Sequence, residues 1–230
     1  MARLYLVRHG ETTSNVMKRL DTAMPGAALT DFGVRQAARF ALERRVEAVQ
    51  PPVLISSRAV RAQQTAEVIG GLWGIDPDVA DGLHEVQAGD LEDRFDKEAY
   101  DTFASVVQRW HHGETAVPIP GGESLDDVVA RYVPAIDDIV SRYLVGPDGR
   151  DVYVVSHGAA IRLVAARLAQ LEPEFAARNY LLNTGSVELG FTPGAEQPWT
   201  AHRWGEHVAP FTANGAGPAD DDESVVDPMG

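Results

Sequence analysis

The sequence has no cysteine, too few basic residues to balance its acids, and no long hydrophobic run. Without cysteine there can be no disulfide, no zinc–thiolate site and no thiol nucleophile. Asp and Glu number 34 against 20 Lys and Arg, giving a net charge of -14. That balance excludes the clustered cations a duplex-DNA or anionic-membrane surface requires, while leaving room for a small basic pocket. No stretch approaches the roughly 18 apolar residues of a membrane span, and the N-terminal apolar run is too short for a signal peptide. The expectation is a soluble cytoplasmic protein with no nucleic-acid or membrane partner; its oligomeric state stays open.

What is present is an ordinary globular composition, 44% hydrophobic and 23% charged over 230 residues, enough to bury a substantial core. Strand-length apolar runs alternate with helical patterns. Leu4–Val7 reads as a strand. "LTDFGVRQAARFALERRV" reads as a helix capped by Thr30, and "VLIS" at 53–56 as the next strand. "RAQQTAEVIGGLW" follows with helical spacing. From 81 to 120 the chain is polar, with two short helical patterns and no clear strand. Ser124 and Asp127 form a capping-box pattern, opening a helix that runs towards Val145 with a possible kink at Pro134. Asp151–Val155 is a further strand, "AAIRLVAARLAQL" an amphipathic helix, and "SVELGF" with "WTAHRW" a terminal antiparallel pair. The alternation predicts an α/β fold with a mostly parallel sheet covered on both faces. Residues 1–208 then form one domain, with an insertion at about 86–120, and 209–230 an acidic, disordered tail.

One phrase is written twice. "LYLVRHG" at 4–10 and "VYVVSHG" at 152–158 each run from an apolar strand into His-Gly. Ligands of open α/β sheets bind beyond the carboxyl ends of strands. If these two strands are neighbours, His9 and His157 converge on one crevice. A neutral imidazole can attack phosphorus, carry the phosphoryl group and release it. The reaction needs positive charge around the phosphoryl oxygens, and arginine's planar fork supplies it. Arg8 adjoins His9, and "SSRAVRAQQTA" offers Arg58 and Arg61 beside a helix start. "HHGE" at 111–114 lacks the companion His/Asp spacing of a metal site.

"LVRHGETTSN" resembles the signature of the histidine phosphatase superfamily, in its phosphoglycerate-mutase-like branch. The resemblance continues in order through "LTDFGVRQA", "SSRAVRAQQTA", "LHEVQAGDLED", "GGES" and "VVSHGAAIR". It implies a three-layer α/β/α sandwich, mostly parallel with an antiparallel edge, and a small helical lid at 86–120. It implies that His9 becomes phosphorylated and that Arg8, Arg61 and His157 complete the phosphate pocket. Arg61, rather than Arg58, occupies the family's arginine position. Asn15 matches an asparagine that touches phosphate, and Glu85 the general acid, whose carboxyl must be protonated near neutral pH. Thr12, His84 and Arg58 are further substrate-binding candidates. Asn183 is a turn former with a possible pocket role, and Ser124 has the simpler task of capping its helix. No metal or other cofactor is implied.

The chain departs from cofactor-dependent phosphoglycerate mutases in the lid. The segment 89–118 is acidic, and Arg94, Lys97 and Arg109 are its only basic residues. Paired arginines that could hold the carboxylate of phosphoglycerate are missing there, which favours water as phosphoryl acceptor. The function expected is hydrolysis of small phosphomonoesters. A mutase and a non-catalytic module that binds a phosphorylated ligand are the alternatives, and the intact set of candidate residues weighs against the second.

Overall fold

The computed structural model describes residues 2–44 and 50–211. Its sheet is assembled from β1 (Arg3–Arg8), β2 (Val53–Ser57), β3 (Asp78–Ala80), β4 (Val152–Ser156), β5 (Ser186–Phe191), β6 (Trp199–Trp204) and β7 (His207–Val208). Their spatial order is β3-β2-β4-β1-β5-β6-β7. The first four run parallel, whereas β5, β6 and β7 join through antiparallel pairs. The helices are α1 (Thr13–Val16), α2 (Asp31–Glu43), α3 (Val60–Trp73), α4 (Lys97–His111), α5 (Leu125–Ile139), α6 (Gly158–Leu168) and α7 (Pro173–Arg178).

The apolar runs are continuous because the central strands are buried on both faces. Leu4, Leu6, Val53, Ile55, Val152 and Val154 point into the larger core, shared with α4, α5, α6 and α7. Val7, Leu54, Tyr153 and Val155 point the other way, onto Ala37, Phe40 and Ala41 of α2 and Ala62, Ala66 and Ile69 of α3. This is the three-layer α/β/α arrangement. Among the described residues no helix is long and apolar enough to cross a membrane.

The polar segment after β3 differs from its sequence reading. It holds one short 3-10 turn at Gly89–Leu91 and a single 15-residue helix, α4, rather than two short helices. Asp96 caps α4 by accepting from the Ala99 N–H at 3.1 Å, and Ala99, Phe103, Val106, Val107 and Trp110 form its buried stripe. The short elements α1, α7, β3 and β7 have too few residues for periodicity to reveal them. α5 remains helical through Pro134 and widens into a π turn at Val140–Leu144. The helix expected to reach residue 46 is described through Glu43, and 45–49 and 212–230 lie outside the described residues, most of the expected tail among them. Phe211, assigned to that tail, packs on Phe175 with ring centroids 5.0 Å apart.

The capping box that begins α5 is complete. Ser124 Oγ accepts from the Asp127 N–H at 3.2 Å, and Asp127 Oδ2 accepts from the Ser124 N–H at 2.9 Å. Ser124→Ala should therefore cost about 1 kcal/mol, which is about 2–4 °C of melting temperature in a chain of this size. Thermal denaturation measures it, and an unchanged midpoint would show that the cap carries no stability.

Candidate active site

β1 and β4 are parallel neighbours, with Arg8 opposite Ser156. One residue on, the His9 N–H donates to the Ser156 carbonyl at 3.0 Å, so the next side chains of both strands emerge together. The His9 and His157 rings lie 5.3 Å apart at 61°. Arg61, in the first turn of α3, reaches between them. Its Nε lies 3.2 Å from His9 Nε2 and 3.2 Å from His157 Nδ1. All three residues are buried, as is Arg8, whose Nη1 donates to the Leu181 carbonyl at 2.6 Å.

These partners fix the tautomers. The Gly10 carbonyl, 2.7 Å from His9 Nδ1, can only accept, so Nδ1 carries the proton. His9 Nε2 is left with its lone pair facing the arginine. On His157, Nδ1 accepts from Arg61, which leaves Nε2–H to donate to Ser57 Oγ at 2.8 Å. Burial, then the Arg61 charge, holds both imidazoles well below their ordinary pKa; Arg8 adds to the effect at His9. His9 is therefore a neutral imidazole whose unprotonated Nε2 faces a guanidinium, the state a nucleophile requires.

Two close approaches hold this geometry. A Cβ at Gly10 would lie 2.6 Å from the Gly33 carbonyl oxygen of α2, so the turn after His9 packs against bare backbone. The loop 21–27 lies over Arg61 from the other side. Arg61 Nη1 is 3.8 Å from Asp21 Oδ2, and a Cβ at Gly26 (φ +74°) would meet that same Nη1 at 2.2 Å. Thr65 Oγ1 donates to the Arg61 carbonyl at 2.7 Å and accepts from the Gly10 N–H at 3.0 Å, linking the two turns.

Glu85 is buried at the N-terminus of α6. Oε1 accepts from Val86 N–H at 2.8 Å and Ala160 N–H at 2.9 Å, and Oε2 from Ala159 N–H at 3.2 Å. Burial raises its pKa, opposed by these amides and by Arg61. A carboxyl raised in this way, beside arginine, can hold or accept a proton.

The remaining candidates are placed less directly. Asn15 Oδ1 accepts from the Thr12 N–H at 3.0 Å and from Asn183 Nδ2 at 3.4 Å. Thr12 is buried and caps α1 through its hydroxyl. His84 is half-buried, and its carbonyl accepts from Arg131 at 2.7 Å. Arg58 is exposed and paired with Asp81 at 2.9 Å. Asn183 lies in a turn, as expected, closed by the Gly185 N–H on the Leu182 carbonyl at 2.8 Å, and from there its Nδ2 donates to the His9 carbonyl at 3.0 Å. Sequence reading missed Ser57, Asp21 and Arg131. Ser57 ends a strand next to the arginine motif, which was a usable signal; Asp21 and Arg131 had none.

Fold and site together define a histidine–arginine pocket suited to a phosphoryl group. The chain belongs to the histidine phosphatase superfamily (branch 1), whose profile matches residues 4–207. It is 32% identical over 218 residues to the Yersinia pestis protein named "Probable phosphoglycerate mutase GpmB", covering 93% of this chain and 95% of that protein. Among solved structures it is similar to "Mycobacterial hydrolase 1", with a TM-score of 0.72, 28% identity, and coverage of 91% of this chain and 100% of the other. It is also similar to the mycobacterial glucosyl-3-phosphoglycerate phosphatase in complex with inorganic phosphate, with a TM-score of 0.71, 26% identity, and coverage of 89% and 97%.

In the free protein, NMR of the imidazoles between about pH 8 and pH 5 should find His9 and His157 neutral throughout. The unfolded chain takes up both protons from about pH 6.5 downward, so these groups lower stability as the pH falls below that value. Either ring titrating near its ordinary pKa would contradict the geometry.

Proposed function

We propose that the protein is a metal-independent phosphatase acting on small phosphomonoesters through a phosphohistidine at His9. The observation that carries this reading is the neutral His9 ring, with Nδ1–H anchored on the Gly10 carbonyl and Nε2 facing Arg61. His9 Nε2 attacks phosphorus, and the bond to the leaving oxygen breaks as Glu85 gives that oxygen its proton. Arg8, Arg61 and His157 surround the phosphoryl oxygens, and the two guanidinium groups supply the charge that stabilises the transition state. In the second half, Glu85 takes a proton from water, the water oxygen bonds phosphorus, and the P–N bond breaks. Phosphate leaves and His9 is regenerated. Asn15 is assigned to phosphate contact, with Thr12 shaping the same turn; His84 and Arg58 are assigned to the substrate's organic part.

A mutase must instead hold the dephosphorylated acid while it reorients. The lid cations available for its carboxylate are all engaged. Arg94 pairs with Asp96 at 2.6 Å and Glu98 at 3.3 Å, Lys97 with Asp101 at 2.7 Å, and Arg109 with Glu114 at 2.5 Å. Water is then the favoured acceptor. The 32% identical relative bears a mutase name, so the distinction has to be measured.

His9→Ala should abolish phosphate release in a folded protein, and rapid quenching of the wild type should trap an acid-labile, base-stable phosphohistidine at residue 9. Substantial turnover by the variant would refute the covalent mechanism. Supplied with 3-phosphoglycerate and catalytic 2,3-bisphosphoglycerate, the enzyme should release phosphate faster than it forms 2-phosphoglycerate, with EDTA making no difference. Isomerisation outpacing release would make it a mutase.

A further inference from the structure

The loop that carries Glu85 has no regular secondary structure between Asp81 and Ala88. Its buried backbone groups therefore need partners from elsewhere. Three of its carbonyls find theirs in one side chain on α5. Arg131 Nη1 donates to the Gly82 carbonyl at 2.8 Å and the His84 carbonyl at 2.7 Å. Nη2 donates to the Glu85 carbonyl at 2.9 Å and to Glu123 Oε2 at 2.8 Å, and Nε to Glu123 Oε1 at 2.7 Å. A guanidinium has five N–H groups, and these five bonds use them all. Glu123 Oε2 also accepts from the Gln87 N–H at 2.9 Å. The pair thus holds the chain at 82, 84, 85 and 87, on both sides of Glu85. From the next residue of α5, Tyr132 OH donates to Ser156 Oγ, which donates to the Leu83 carbonyl at 2.8 Å.

Neither side chain belongs to the phosphate pocket. Arg131 bonds the loop's backbone and Glu123, and both side chains are largely buried, 16% and 18% exposed. An arginine that gives three donors to the loop around a proton donor, and the other two to a carboxylate that holds the same loop at Gln87, controls where that donor points.

We propose that Arg131 and Glu123 are positioning residues for Glu85, holding its loop so that the carboxyl meets the leaving oxygen of the substrate. The inference rests on the assignment of Glu85 as proton donor. It separates two consequences of loosening the clasp. Attack by His9 does not depend on where Glu85 points, whereas proton delivery does. In the phosphorylation half of the cycle, only substrates whose leaving oxygen needs a proton should then suffer; the hydrolysis that follows is common to all of them. An alkyl phosphate needs that proton, and p-nitrophenyl phosphate, with its stable phenolate, does not.

The test compares kcat/KM, which reports phosphoryl transfer to His9 and not the later hydrolysis that all substrates share, for β-glycerol phosphate and p-nitrophenyl phosphate in wild type, Glu85→Gln, Arg131→Lys, Glu123→Gln and the double variant Glu85→Gln/Arg131→Lys. Inhibition by inorganic phosphate is measured in each as a check on the pocket. Glu85→Gln should lower kcat/KM for the alkyl phosphate by about 10²–10⁴-fold, and kcat/KM for p-nitrophenyl phosphate far less. Arg131→Lys should lower kcat/KM for the alkyl phosphate by roughly 10- to 100-fold, as expected for a misplaced catalytic group, with kcat/KM for p-nitrophenyl phosphate and phosphate inhibition within about twofold of wild type. In the Glu85→Gln background it should add almost nothing. Equal losses on both substrates in folded Arg131→Lys, or fully additive effects in the double variant, would overturn the positioning role while leaving Glu85 as acid. Equal losses in Glu85→Gln itself would remove the proton donor, and the clasp's role with it. Should Arg131→Lys fail to fold, Glu123→Gln gives the same comparison, because it keeps an acceptor in place but removes the ion pair.

Discussion

Everything at the site depends on the pairing of β1 with β4. These strands are separated by nearly the full length of the domain, yet Leu4 lies opposite Val152 and Arg8 opposite Ser156. Slipping the register by one residue would turn every side chain of one strand to the other face. Leu4 and Leu6 would leave the larger core, and His9 would no longer meet His157. The hydrophobic alternation that separates the two cores therefore also sets the catalytic register. Burial of Leu4, Leu6, Val152 and Val154, all fully inaccessible to solvent, is what holds two histidines side by side.

The second constraint is electrostatic. Arg8 and Arg61 are buried to 3% and 2% exposure in a chain whose net charge is -14. Buried cations are tolerated where carboxylates, carbonyls and amide dipoles surround them. Here Asp21, Glu85 and the Leu181 carbonyl take that part. Burial first, and then the Arg61 charge, keeps both imidazoles neutral, so the field that would receive a phosphoryl group also helps to ready its acceptor. Glu85 lies under opposed influences, burial favouring the acid and three backbone amides favouring the carboxylate. A group balanced in this way can change protonation twice in each turnover.

Much of this was legible in the sequence, for stated reasons. The repeated strand–His-Gly phrase revealed two strand ends pointing at one crevice, and family resemblance separated Arg61 from Arg58. The structure then gives Arg61 to the two histidines and Arg58 to Asp81. Thr30, Ser124 and Asp127 were readable because capping is local chemistry with fixed spacing. The contacts of Asp21 and Arg131 were not, because each depends on a loop meeting a helix from elsewhere in the chain. Arg131 sits in a helical pattern where an arginine is ordinarily a solvated residue, and only the irregular loop 81–88 gives it work. The polar segment before α5 misled as well: its buried stripe runs unbroken along the 15 residues of α4, where two short helices were expected.

The bare backbone at Gly26 has a consequence for solvent. The loop it belongs to closes on Arg61 because no Cβ intervenes, and Arg61 Nη1 is consequently shut away from bulk water. A side chain there would wedge the loop off the guanidinium and admit water to the gap. The local dielectric would rise, and every charge–charge and charge–dipole interaction around Arg61 would weaken with it. The two imidazoles would recover part of their ordinary basicity, and the arginine part of its hydration. An absent methyl group some residues away from the reacting atoms thus acts as a seal, setting how strongly the pocket's charges are felt.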